Sequence, residues 1–234
     1  MTRILAIETS TELASAAVLA DGQIFTRELS GVQTHSQGIL PTIQSLLAEA
    51  GIALADCDAI AFGCGPGAFT GIRTACGIVQ GLAYGAGLPV LPVVSLQAMA
   101  QAALEQTAEG EFVCILDARM SEVYWAQYRF TDAHWETVSE PALASMDEVF
   151  ASLSGVMMLR DLRFVLGNGL ALPEALVGNV TSIHCMPHAK QVATLGRTAF
   201  DAGNGQAAEL AQPLYLRNKI ALTTAERAQV KASG

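Results

Sequence analysis

The stretch ILAIETSTELASAAV, residues 4–18, decides the fold because it joins two apolar runs through a short polar turn. The first run predicts a buried strand over Arg3–Glu8, and the second predicts another strand over Ala14–Ala20. The Asp-Gly dipeptide at 21–22 then separates the second strand from Gln23–Leu29, and it is a strong signal for a two-residue hairpin turn. The chain is therefore predicted to start with three strands that double back on one another.

The same arrangement recurs in the second half, in VCILDARMSEVYWAQY at residues 113–128. An apolar strand over Glu111–Asp117 ends in an acid, as the first strand ends in Glu8, and a return strand follows at Glu122–Phe130. A third strand is predicted at Trp135–Glu140. Both halves of the sequence thus contain a buried strand that ends in an acid and is followed by an antiparallel return strand.

Hydrophobic periodicity and turn residues predict the remaining elements. Helices are predicted at Ser36–Ala50, about Thr70–Ala86, about Ser95–Glu105, Met146–Leu153 and Ala189–Ala202, and strands at Asp58–Phe62, Pro89–Val94, Arg163–Leu166 and Thr181–Cys185. Gly51 is expected to cap the end of the first helix, and Pro41 either starts that helix or kinks it.

Two βββαβα halves in tandem predict an α/β protein with a duplicated ribonuclease-H-like fold, the actin/Hsp70-like (ASKHA) architecture. The predicted lobes are residues 1–108 and 109–220, followed by a tail at 221–234 that is either ordered or disordered. In active proteins of this architecture, turns and acids from the two halves face each other across a cleft for nucleotide and metal. The alternative is a generic α/β domain whose halves resemble each other by chance.

Composition indicates a globular protein with a sizeable core, since 51% of the residues are hydrophobic. No apolar run approaches the 18 or so residues that cross a membrane, and the N-terminus has no signal-peptide pattern. The five cysteines contain no C-x-x-C pair, which predicts reduced core thiols in a cytoplasmic protein.

The net charge of −9 is spread unevenly along the chain. Residues 1–118 hold three arginines against eleven acids, a net of −8, whereas residues 119–234 hold ten bases against eleven acids, a net of −1. A free-standing nucleic-acid binder needs a basic surface to neutralise phosphates. The charge pattern therefore argues against nucleic-acid binding by this chain alone.

The glycine-rich stretch GCGPGAFTGIRTACG, residues 63–77, invites comparison with phosphate-binding loops. The P-loop motif requires a lysine, and here Gly67 is followed by Ala68, Phe69 and Thr70. The Rossmann motif requires a third glycine where Thr70 stands. Neither motif is met, so the glycines are expected to permit close backbone approach, with Thr70 as the helix cap.

Metal-binding and catalytic patterns are equally incomplete. His184 and His188 are four residues apart, but Pro187 makes a regular helix between them improbable. The terminal acids Glu8 and Asp117 could hold Mg²⁺ if they faced each other across a cleft, or they could simply accept backbone N–H groups at the strand ends.

Five segments together resemble the TsaB (YeaZ) family of the bacterial pathway for tRNA threonylcarbamoyladenosine. They are ILAIETSTELASAAV, THSQGILPTI, GCGPGAFTGIR, LDARMSEVYWAQY and PLYLR, and the resemblance spans residues 1 to about 217. It implies a subunit required for threonylcarbamoyl transfer to the adenosine beside the anticodon of ANN-decoding tRNAs. The implied partners are TsaD, a catalytic paralogue, and TsaE, an ATPase. The resemblance also implies that the isolated chain forms a homodimer and that it contacts tRNA only as part of the complex.

Comparison with the catalytic paralogue implies that this chain is no enzyme and has no cofactor, metal or catalytic residue of its own. Ser95 and Met99 stand where the paralogue has a metal-binding histidine pair, and bulky Arg119 and Met120 stand in its glycine-rich second turn. Residual nucleotide contact is left open through Thr9, Ser10, Asp117, Gly167 and Gly169. The alternative function is an active ATPase or small-molecule kinase of the same fold.

The helix predicted over Thr70–Ala86 has apolar or small residues all round, with glycines at i, i+4 spacing on one face. A surface helix should have a polar back, so this pattern predicts burial on both sides and a partner helix against the glycines. The predicted partner interface comprises Ile39, Leu40, Ile43, Leu47, Arg73, Thr74, Gly77, Ile78, Gly81 and Gly85. The alternative is that another part of the same chain covers this face.

Overall fold

The computed structural model of the chain describes residues 1–29, 35–153 and 161–217. The strands are β1 (Ile4–Glu8), β2 (Ala14–Ala20), β3 (Gln23–Leu29), β4 (Ala59–Gly65), β5 (Val90–Val94), β6 (Gly110–Arg119), β7 (Glu122–Thr131), β8 (His134–Ala144), β9 (Leu162–Leu166) and β10 (Thr181–His184). The helices are α1 (His35–Glu49), α2 (Phe69–Ala86), α3 (Ser95–Ala103), α4 (Met146–Leu153) and α5 (Ala189–Asp201).

The strands form two five-stranded sheets of identical topology. The first has the order β3-β2-β1-β4-β5 and the second the order β8-β7-β6-β9-β10, each with three antiparallel strands followed by two parallel ones. Asp21 and Gly22 both have positive φ angles, 51° and 82°, as the predicted two-residue hairpin requires. The repeated sheet confirms the predicted duplicated ribonuclease-H-like fold.

In each lobe, one helix packs on the sheet of the other lobe. Helix α3 follows the first sheet in sequence but packs on β6 and β7 of the second, with Leu96 and Met99 in that core. Helix α5 follows the second sheet but packs on β1, β2 and β4 of the first, with Val192 and Ala193 in that core. The boundary proposed near residue 108 therefore separates the sheets, whereas the packing of α3 and α5 crosses it.

The structure departs from the predicted elements in three places. Strand β4 continues to Gly65, so the glycine-rich stretch begins inside the sheet, where Gly63 pairs with Val93. Helix α2 begins after Ala68, which makes no side-chain cap, so Thr70 is not the predicted cap. Strand β8 continues to Ala144, four residues beyond its predicted end at Glu140.

Other local predictions hold. Gly51 has a φ of 69° and follows α1, where the N–H of Ile52 donates to the carbonyl of Leu47 at 3.0 Å in a left-handed C-terminal cap. Pro41 lies inside α1. Within the described ranges, no helix has the length and apolar character needed to cross a membrane. The predicted tail at 221–234 lies outside the described residues.

Candidate functional site

A cavity of about 950 Å³ lies between the two lobes. The first lobe lines it with the β1–β2 turn, residues 10–12, and with residues 67–72 at the start of α2. The second lobe contributes the β6–β7 turn, residues 116–120, together with residues 168–169. Residues 214–217, from the PLYLR segment, close one side. This is the cleft that the duplicated fold predicts, and both hairpin turns face it.

The glycines of the glycine-rich stretch hold the protein's own β1–β2 turn. A Cβ atom on Gly63 would overlap the carboxyl group of Glu8, and one on Gly71 would overlap the carbonyl oxygen of Thr9. A Cβ on Gly67 would overlap Ser10 in the same way. These three positions therefore require glycine because the turn packs directly on their Cα atoms.

Hydrogen bonds fix the turn in this position. The backbone N–H of Ala68, at the start of α2, donates to the carbonyl of Ser10 at 2.6 Å. The hydroxyl of Thr9 donates to the carbonyl of Gly71 at 2.8 Å, in a fully buried environment. The glycine-rich stretch therefore holds the protein's own β1–β2 turn at the edge of the cleft.

The two acids predicted at strand ends, Glu8 and Asp117, have different environments. Glu8 is fully buried, does not line the cavity, and accepts hydrogen bonds from the Ser10 N–H at 2.6 Å and the Ser95 hydroxyl at 2.9 Å. Asp117 lines the cavity, accepts the Arg119 N–H at 2.8 Å and pairs with the Arg119 guanidinium at 3.0 Å. Each acid thus accepts the N–H two residues further on, as the simpler of the two interpretations expected.

The environment of Glu8 changes its acidity. Burial raises the pKa of the Glu8 carboxyl above its ordinary value of 4.5, and hydrogen bonds from Ser10 and Ser95 lower it in part. A carboxyl group without an opposing cation in such a site favours its neutral form. Among the described residues, no cluster of three or more His, Cys, Asp or Glu side chains could hold a metal ion.

Ser95 and Met99, which stand where the catalytic paralogue has its histidine pair, have structural roles in this fold. Ser95 begins α3, and its buried hydroxyl donates to Glu8 across the junction of β1 and α3. Met99 is fully buried between α3 and the second sheet. His184 ends β10, and His188 caps α5, where its Nδ1 accepts the Lys190 N–H at 3.0 Å.

The β6–β7 turn is held in an unusual backbone conformation. Arg119, Met120 and Ser121 have positive φ angles of 65°, 57° and 60°, a region that costs non-glycine residues about 1–2 kcal/mol each. Arg217 satisfies the turn by donating to the carbonyl of Ala118 at 3.1 Å. Sequence reasoning identified the bulky turn but missed this contact, because Arg217 follows it by almost a hundred residues.

The residues named for nucleotide contact divide into two groups. Ser10, Asp117 and Gly169 line the cavity, where Asp117 and Gly169 are exposed and Ser10 is fully buried. Thr9 is fully buried with its hydroxyl bound to Gly71, and a Cβ on Gly167 would meet the side chain of Leu116. Neither of these two lines the cavity, and their contact with a nucleotide stays a prediction.

The outer face of α2 is open. Gly77, Gly81 and Gly85 are exposed, and a Cβ added at each would meet no atom within 4 Å. Arg73 is also exposed, whereas Thr74 and Ile78 are half-buried beside these glycines. The described part of the chain therefore leaves this face uncovered.

Helix α1 contributes less to this surface than predicted. Ile39, Ile43 and Leu47 are buried in the first-lobe core, and their contact with a partner stays a prediction. Leu40 remains 42% exposed. The hydrophobic spacing of α1 marked the face that packs on its own sheet, which is the commoner role for such a stripe.

The fold and cleft define an ASKHA-type protein with a duplicated ribonuclease-H-like core. Its glycine-rich stretch packs against the chain's own β1–β2 turn. A family model described as TsaD, tRNA N6-adenosine threonylcarbamoyltransferase, matches residues 23–222. The chain is 37% identical over 225 residues to the tRNA threonylcarbamoyladenosine biosynthesis protein TsaB of Escherichia coli K12, covering 94% of this chain and 96% of that protein. It is 36% identical over 227 residues to TsaB of Haemophilus influenzae, covering 93% and 94%.

A solved structure described as YeaZ from Pseudomonas aeruginosa shares the fold, with a TM-score of 0.80 and 36% identity. The match covers 92% of this chain and all of the other. The chain therefore belongs to the TsaB (YeaZ) family, which confirms the resemblance drawn from the five sequence segments.

Proposed function

We propose that this chain is a non-catalytic subunit for the biosynthesis of threonylcarbamoyladenosine in tRNA, the process for which its TsaB relatives are named. The observation that carries the proposal is the packing of the β1–β2 turn on Gly63, Gly67 and Gly71. This packing gives the glycine-rich stretch a structural task, which is to support the chain's own β1–β2 turn. The buried Glu8, with hydrogen bonds from Ser10 and Ser95, supports the same interpretation because it is closed to substrate.

The proposed partners are a TsaD-like catalytic paralogue and a TsaE-like ATPase, with a homodimer when the chain is alone. The exposed face of α2, with Thr74 and Ile78 beside Gly77, Gly81 and Gly85, supports docking of the paralogue or of a second copy. Small residues let a second helix approach closely. The acidic first lobe supports contact with tRNA only through the complex, and the five free cysteines support a cytoplasmic site of action.

Gly81→Arg tests the proposed surface. The side chain would enter open space, so the subunit should fold normally, while a buried unpaired charge at an interface is costly. Association with the paralogue, measured by titration calorimetry, should weaken at least about a hundredfold, the effect of about 2.7 kcal/mol. Thr198→Arg adds the same charge to the exposed side of α5 and should bind normally. Equal affinity for both variants would place the interface elsewhere.

The cavity itself favours a second candidate, an ATPase or small-molecule kinase. Its volume of about 950 Å³ is large enough for a nucleotide, and Ser10, Asp117 and Gly169 line it. Calorimetry of the isolated chain with Mg-ATP, followed by an assay for ADP, separates the two functions. Micromolar binding with turnover would favour the enzyme, whereas absence of turnover is expected for the non-catalytic subunit.

A further inference from the structure

A segment at the end of the described chain, residues 211–217, connects the two lobes along the cleft; we call it the interlobe strap. Its first part belongs to the first lobe. The carbonyl of Ala211 accepts from the Gln80 side chain at 2.8 Å, and the Leu214 N–H donates to the carbonyl of Cys64 at 2.7 Å. Ala211 is buried in the first-lobe core, and Leu214 packs against it. The strap is therefore anchored along β4 and α2.

Tyr215 strengthens this anchor through α2. The Nε of Arg73 donates to the Tyr215 hydroxyl at 2.6 Å, and the Arg73 guanidinium lies 3.7 Å from the centre of the Phe69 ring. The rings of Phe69 and Tyr215 are 5.8 Å apart. Stacking of this kind fixes orientation as well as adding attraction. The middle of the strap is thus tied to the first turns of α2.

Arg217 ties the end of the strap to the second lobe. Its guanidinium pairs with Glu122 at 2.6 Å, donates to the carbonyl of Ala118 at 3.1 Å and lies 3.3 Å from the sulfur of Met120. The side chain is only 16% exposed, so these charge-assisted hydrogen bonds are partly shielded from water. They surround the turn whose residues 119–121 have positive φ angles.

The interlobe strap joins the two lobes at a different place from helices α3 and α5. Helices α3 and α5 join the lobes through their exchanged packing, and they do not line the cavity. The strap crosses at the cavity itself, which Leu214, Tyr215 and Arg217 line. Opening of the cleft about the two helices would have to separate Arg217 from the β6–β7 turn.

We propose that the interlobe strap is a latch on the cleft, with Arg217 as the residue that fixes the β6–β7 turn and controls access to the cavity. The device concerns how the cleft opens, and it shares Arg73 with the predicted partner surface on α2. A ligand or partner segment that enters the cavity would displace the strap from this turn. Arg217 is accordingly a positioning residue, since it acts through the turn that it holds.

Arg217→Met tests the latch because it keeps an unbranched side chain and removes every hydrogen bond to the turn. Hydrogen exchange followed by mass spectrometry should show residues 118–122 exchanging about tenfold faster or more, as loss of charge-assisted hydrogen bonds predicts. Amides in β1 and α5 should exchange at the wild-type rate. The control is Arg197→Met, which breaks an exposed pair with Asp201 on α5 and should leave residues 118–122 unchanged.

The reciprocal variant is Glu122→Gln, which alters the second lobe and leaves the strap sequence intact. It should accelerate exchange at residues 214–217, on the opposite side of the contact. Unchanged exchange of the turn in Arg217→Met would overturn the latch. A uniform rise that includes β1 and α5 would also overturn it, because Arg217 would then contribute only to global stability.

Discussion

The Cα atom of Gly71 lies directly against the carbonyl oxygen of Thr9, and the Thr9 hydroxyl donates back to the carbonyl of Gly71 at 2.8 Å. The contact joins α2 to the β1–β2 turn over 62 residues of sequence. It explains the glycine-rich segment as a seat for the chain's own turn. A substitution that adds one carbon at Gly71 therefore probes the architecture that the proposed function depends on.

Gly71→Ala should lower the free energy of unfolding by about 2 kcal/mol or more, since the new Cβ would force the buried turn off the helix. Gly81→Ala is the matched control, because its Cβ would enter open space on the same helix. That variant should raise the free energy of unfolding by about 0.5–1 kcal/mol, the ordinary gain of alanine over glycine within a helix. Urea denaturation measures both, and equal effects would contradict the packing described for Gly71.

Glu8→Gln should change how stability depends on pH. Because burial raises the pKa of Glu8 in the folded state, the folded protein holds this proton above pH 4.5 more tightly than the unfolded chain does. Stability contributed by this group is therefore lost as pH rises from 4.5 through the folded pKa. Glutamine has no such loss, so the variant should gain stability relative to wild type as the pH rises above 4.5.

The measurement is urea unfolding of both proteins at several pH values. The quantity compared is the difference in free energy of unfolding between the variant and wild type, followed as the pH changes. A cost of the substitution that is the same at every pH therefore cancels. A difference that stays flat, or that shrinks as pH rises, would show that Glu8 does not have a raised pKa. Asp117→Asn, on the exposed acid of the second lobe, is the matched control for removing a strand-end carboxylate.

Ser95→His combined with Met99→His should not create an active enzyme. A histidine at position 95 removes the hydroxyl that binds Glu8, and one at position 99 places a polar ring in a fully buried apolar site. The double variant should lose about 2 kcal/mol or more of stability and show no transfer activity without a TsaD partner. Threonylcarbamoyl transfer by the isolated variant would refute this expectation.

The sequence predicts the elements well where the signals are local. The Asp21-Gly22 dipeptide specifies the hairpin between β2 and β3 through its two positive φ angles. Glu8 ends β1, and Asp117 lies two residues before the end of the equivalent strand β6. The hydrophobic spacing of α1 was read as a partner surface, although Ile39 and Ile43 fill the core. A hydrophobic stripe indicates that one face of a helix is buried, but it does not indicate whether that face packs on the chain's own core or on a partner.

The site depends on contacts between distant residues, which periodicity cannot reveal. Nothing near Gly71 in sequence shows that Thr9 packs on it, and Gly63 and Glu8 are separated in the same way. The exchange of α3 and α5 between sheets is also a property of the assembled fold. Composition did indicate that the α2 face was unusual, because glycines on an exposed helix face have no local structural advantage.

The most direct test of the central proposal is reconstitution of threonylcarbamoyl transfer to an ANN-decoding tRNA. Four mixtures are compared: this chain alone, TsaD with TsaE, all three proteins, and all three with Gly81→Arg in this chain. The account predicts transfer in the complete wild-type mixture and background levels in the other three. Transfer by this chain alone, or equal transfer by TsaD and TsaE without it, would contradict its role as a required non-catalytic subunit.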